Sequence, residues 1–167
     1  MHTGLYVIMG VSGSGKTTIG ARFARALDLD FVEGDDMHPA ENVRRMAAGI
    51  PLTDDDRRPW LLAIAARLRD AQGAGRGLAI ACSALRRQYR DVLRTRGVAN
   101  VRFVFLTGAR SLLEERLAAR RGHFMPGALL DSQLATLEEP SADEGAWVCD
   151  ISQPPEAIVA ELVRRAA

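Results

Sequence analysis

Eight consecutive residues, Gly10, Val11, Ser12, Gly13, Ser14, Gly15, Lys16 and Thr17, carry the spacing G-x-x-x-x-G-K-[ST]. Glycines at these places free the backbone to wrap round phosphate oxygens with its N–H groups pointing inward. Lys16 is the one lysine among 22 lysine and arginine side chains. A compact ammonium can reach between β- and γ-phosphates where arginine's wide planar fork would not fit. Thr17 supplies a hydroxyl for magnesium, and Thr18 either adds a phosphate contact or fills the first helical turn. The pattern predicts binding of a nucleoside triphosphate with Mg2+.

Such a loop does not by itself separate a switch GTPase, a motor ATPase, a small-molecule kinase and a silent nucleotide-binding module. The guanine-reading Asn-Lys-x-Asp is ruled out, because the only lysine is already in the loop. Cys82-Ser83-Ala84-Leu85 follows the third apolar run and offers no aspartate for a magnesium site. The carboxylate must come from elsewhere, and Asp35 is the candidate. It follows the second apolar run, where ligands bind in open α/β sheets, and could hold magnesium's water or take the proton of an attacking hydroxyl. A helix cap is the other use for an aspartate here, and that role is assigned to Asp36. His38 could read a substrate hydroxyl or cap its helix and pack.

Three aspartates, Asp54, Asp55 and Asp56, precede Arg57, Arg58, Pro59 and Trp60. They suit the positive end of a helix better than an acid–base pair. Arg57 is read as a bidentate partner for a substrate carboxylate, and Trp60 as core. Ser83 is placed to hydrogen-bond a polyol, with Arg86 or Arg87 adding positive charge. Arg116 and Arg120 share a helix face by their i, i+4 spacing. Gly122 and Pro126 then break the helix beside His123. Residues 116–127 therefore read as a lid that closes on phosphate, evenly balanced against an ordinary exposed helix end.

The elements that must hold these groups alternate. Apolar runs at Leu5–Met9, Phe31–Val32, Leu78–Cys82, Val101–Leu106 and Trp147–Ile151 are separated by helical stretches. That order predicts an α/β fold, a parallel sheet with helices on both faces. The 167 residues, 47% of them apolar, suit one domain over 1–167. A net charge of +1 argues against a nucleic-acid surface. No stretch approaches the roughly 18 apolar residues of a membrane span. Met1–Met9 lacks the basic start of a signal peptide. Cys82 and Cys149 read as free buried thiols, so the expected location is the cytoplasm.

Taken in order, the loop, Glu-Gly-Asp-Asp-Met-His-Pro, Pro-Leu-Thr-Asp-Asp-Asp-Arg-Arg-Pro-Trp-Leu, Cys-Ser-Ala-Leu-Arg-Arg-Gln-Tyr-Arg-Asp, Arg-Gly-His-Phe-Met-Pro and the stretch Ser132 to Pro140 resemble bacterial gluconokinases of the thermoresistant type, related to shikimate kinases. The resemblance runs from Tyr6 to about Pro154. It implies ATP-dependent phosphorylation of D-gluconate to 6-phospho-D-gluconate, a magnesium requirement, strand order 2-3-1-4-5 and a homodimer. It also tips Arg116, Arg120 and His123 toward function. Gln133 joins Arg57, His38 and Ser83 as a substrate contact, and Asp150–Pro154 wraps adenine opposite Arg116. Leu134 stands where phenylalanine is expected, and arginine replaces lysine at several basic positions. A shikimate-type kinase is the alternative, disfavoured because Cys-Ser-Ala replaces the expected glycine triplet. A non-catalytic nucleotide-binding module is the other.

Overall fold

A computed structural model describes residues 1–120 and 127–167. Five parallel strands, β1 (Leu5–Met9), β2 (Asp30–Glu33), β3 (Leu78–Ala81), β4 (Arg102–Thr107) and β5 (Trp147–Asp150), pair in the order β2-β3-β1-β4-β5. This is the order the resemblance implied, in a single-domain α/β fold. Both faces are covered, so the strands read as continuous apolar runs. On one face Val7, Ile80 and Phe103 pack with Trp60, Leu61, Ile64 and Leu68. On the other, Tyr6, Ile8, Val104 and Leu106 meet Ile19, Phe23, Leu113 and Ile158. No helix among the described residues is long and apolar enough to cross a membrane.

The helices are α1 (Lys16–Leu27), α2 (Ala40–Ala47), α3 (Asp54–Gly73), α4 (Arg87–Val92), α5 (Arg110–Ala119), α6 (Gly127–Thr136) and α7 (Pro155–Ala166). Ile19, Phe23 and Leu27 recur every four residues and bury one stripe of α1. Removing a ring such as that of Phe23, which is fully buried, costs about 3–5 kcal/mol in a close-packed core. The acidic start of α3 acts as expected. Thr53 is its N-cap, and Asp56 closes a capping box with it.

Two local expectations are corrected. Asp36 caps no helix: a 3-10 turn, Gly34–Met37, intervenes before α2, whose N-cap is Pro39. The turn is held by tertiary contact. The Trp60 indole N–H donates to the Gly34 carbonyl at 2.8 Å, and a Cβ on Gly34 would stand 2.3 Å from the Ala81 carbonyl oxygen. The helix expected over 86–96 also changes character, passing from α4 into a π turn at Leu93–Gly97. There the Thr95 hydroxyl donates to the Asp91 carbonyl, a bond that competes with the regular helical ladder.

Candidate active site

The glycine-rich loop leaves β1 and enters α1 through Gly15, whose φ of 93° is open to glycine and strained for other residues. No side chain caps α1, so its first N–H groups remain available to an anion. The Ser14 hydroxyl is buried, 1% exposed, and has no hydrogen-bond partner among the described residues. Lys16 reaches back to donate to the Val11 carbonyl at 3.1 Å. Desolvation pushes its ammonium below the ordinary lysine value, the fields of Asp35 and Glu33 push it back up, and Arg120 adds to the lowering. An unpartnered hydroxyl, an uncapped helix start and an ammonium short of solvation together fit a triphosphate.

Facing this loop are the ends of β2 and β3. The Thr17 hydroxyl donates to the Glu33 carboxylate, pairing the hydroxyl expected to meet magnesium with an acid that sequence reasoning passed over. Asp35 stands two residues on, exposed, in the 3-10 turn. The Ser83 carbonyl accepts from the Gly10 N–H at 3.4 Å, which ties the end of β3 to the start of the loop. Just beneath, burial drives the Cys82 thiol up to about 12, so it stays protonated and unreactive. Thr17 and Glu33 make a hard-oxygen pair suited to magnesium.

On the side expected to take the acceptor, His38 stacks on Trp60 with ring centroids 4.2 Å apart. Burial lowers its pKa, Asp35 raises it and Arg57 lowers it further. Arg57 donates through Nη1 to the Leu52 carbonyl at 2.6 Å and to the Tyr89 hydroxyl at 3.1 Å. Those bonds pin the guanidinium while leaving its second terminal nitrogen for a ligand.

The comparisons with known proteins bear on this arrangement directly. The family described as an AAA domain matches residues 5–140. The thermoresistant gluconokinase of Escherichia coli is 45% identical over 160 residues, 95% of this chain and 91% of that one. A gluconokinase of Gluconobacter oxydans is 46% identical, covering 95% and 88%. The crystal structure of a gluconokinase from Sinorhizobium meliloti superposes with a TM-score of 0.88 at 48% identity, over 99% of this chain and 94% of that one. The chain belongs to the gluconokinase family.

In this gluconokinase-family chain the nucleotide side is a cleft of about 270 Å³ lined by Gly13, Gly15, Thr18, Arg116, Arg120 and Gln153, among others. Arg116 donates to the Ile151 carbonyl at 2.6 Å, which brings it against the segment expected to wrap adenine. Arg120 ends α5 exposed, within the field of Lys16. His123 and the middle of the expected lid lie outside the described residues. Gln133 lies against the loop, its Oε1 accepting from the Ser12 N–H at 2.6 Å. Arg86 pairs with Asp54, which also lies beside Arg57, and Arg87 pairs with Asp143.

Sequence reasoning also missed the support beneath the acceptor side. Tyr89 donates to Asp54 and accepts from Arg57, and Arg90, 0% exposed, ties α4 to Glu144 and to the carbonyls of Ala84, Leu85 and Glu138. A fully buried arginine requires such partners. The clustered arginines carried no signal distinguishing the buried one from its solvated neighbours.

Proposed function

We propose that this protein transfers the γ-phosphoryl group of ATP to the 6-hydroxyl of D-gluconate, giving 6-phospho-D-gluconate and ADP. The observation that carries the reading is the Thr17 hydroxyl, next to Lys16, bonded to Glu33 at the carboxyl end of β2, with Asp35 two residues on. Family membership and the flanking pair His38 and Arg57 support the sugar acid as acceptor.

Lys16 and the N–H groups of Gly13, Ser14, Gly15, Lys16 and Thr17 hold the β- and γ-phosphates, joined by the hydroxyls of Ser14 and Thr18. Thr17, Glu33 and Asp35 would hold magnesium. When bound, the metal neutralises charge building on the phosphate oxygens. Asp35 receives the proton as the gluconate oxygen bonds to phosphorus and the bond to the ADP oxygen breaks. Arg57, His38 and Ser83 bind the carboxylate and secondary hydroxyls, while Gln133 stays at the loop beside them. Arg120, at the end of α5, would meet the γ-phosphate as charge spreads over its oxygens. Arg116 and the segment after β5 cradle the adenine.

An ADP-release assay over gluconate, shikimate, other sugar acids and nucleoside monophosphates tests the reading. Gluconate should exceed every other acceptor by at least about tenfold in kcat/KM, a difference of one good polar contact. Shikimate leading the panel would replace the proposal with the shikimate-type alternative. ATP binding with no acceptor turned over would mark a non-catalytic module.

A further inference from the structure

We infer that Asn42 is a positioning residue that fixes His38 with its ring hydrogen on Nε2, so that His38 meets the sugar acid as a neutral hydrogen-bond donor. The inference rests on the gluconate reading for the identity of the ligand; the tautomer stands on geometry alone.

Asn42 is the one buried residue of α2, 4% exposed. Its Nδ2 lies 2.8 Å from the Asp56 carbonyl oxygen. A carbonyl only accepts, so the amide nitrogen and not the amide oxygen must face it. The orientation of the side chain is thereby set. The same Nδ2 lies 3.3 Å from His38 Nδ1. An amide nitrogen has two hydrogens and no basic lone pair, so its second hydrogen points at the ring and Nδ1 must accept. A neutral imidazole whose Nδ1 accepts carries its hydrogen on Nε2.

The ring plane is fixed separately. Trp60 lies under it at 4.2 Å with an interplanar angle of 15°, and Trp60 is itself 2% exposed and anchored to the Gly34 carbonyl. Nε2 makes no hydrogen bond among the described residues, and the side chain is partly exposed. What remains for a ligand is a single N–H of defined direction, flanked by the charges of Asp35 and Arg57. A donor suits a hydroxyl lone pair or a carboxylate oxygen. It cannot take a proton at that atom, which leaves Asp35 as the base.

Long-range proton–nitrogen NMR of the full-length protein at neutral pH reads the tautomer, with His38 assigned by its loss in His38→Gln. We expect a pyridine-type Nδ1 and a pyrrole-type Nε2, and addition of gluconate with ADP should move Nε2 more than Nδ1. In Asn42→Asp the new carboxylate accepts instead of donating, so Nδ1 should become pyrrole-type. The KM for gluconate should then rise roughly three- to tenfold, the worth of one hydrogen bond, with the KM for ATP unchanged. A pyridine-type Nε2 or a doubly protonated ring in the wild-type spectrum would overturn the tautomer, whether or not the variant folds. An unmoved ring during active gluconate turnover would overturn the donor role. Failure of the gluconate reading itself shows separately, as absent turnover beside an unchanged ring spectrum.

Discussion

In the proposed reaction the chemistry turns on Lys16, the one lysine of the chain. Lys16→Ala should lower kcat at least about a hundredfold, the usual loss for one preorganised electrostatic group, measured by steady-state ADP release. Asp35→Asn should cut kcat by about 10²–10⁴, the range for a general base, while titration calorimetry finds ATP affinity nearly unchanged. Equal kcat for the asparagine variant would remove Asp35 from the mechanism. Both residues were singled out from the sequence, one through a spaced motif and one through its place after an apolar run. Glu33 was not. It ends a four-residue strand, where an acid reads as an edge residue until Thr17 is seen to donate to it. Asn42 was equally silent, because its role depends on the Asp56 carbonyl fourteen residues away.

Among elements, the segment after α6 is fastened by an ion cluster. Glu144, with its side chain 1% exposed, receives Arg90 at 2.7 Å and Arg94 at 2.7 Å. Burial alone would raise its carboxyl pKa, yet hydrogen bonds from Arg90 and Arg94 outweigh that and hold it at about 2 against an ordinary 4.5. A folded pKa below the unfolded one stabilises the protein fully above the unfolded value. That contribution should fade as pH falls from about 4.5 toward about 2, visible as a declining urea midpoint. Glu144→Ala leaves two arginines facing a void and should cost about 3–5 kcal/mol at pH 7. An unchanged midpoint would mean the cluster is idle. Strand positions were readable to within a residue or two, since continuous apolar runs are hard to place elsewhere. The 3-10 turn and the π turn were not readable, because Trp60 reaching Gly34 and Arg90 tying α4 down are contacts between distant parts of the chain.

For the molecule as a whole, the strand order sets β1 between β3 and β4, with β2 outside β3. Loops at the carboxyl ends then converge: phosphate grip from β1, acid from β2, Ser83 from β3, and the Ile151 region after β5 against Arg116. The topology explains why a glycine-rich motif and an aspartate from separate segments come to the same end of the sheet. The acceptor's identity depends on the sum of smaller contacts that only the fold assembles. The most direct check of the central claim is the product itself, read by phosphorus NMR after incubation with ATP, magnesium and D-gluconate. A phosphomonoester on the terminal C6 oxygen, formed in step with ADP and lost in Lys16→Ala, is the predicted result. ATP consumed with the phosphate appearing free, or attached at another carbon, would contradict it.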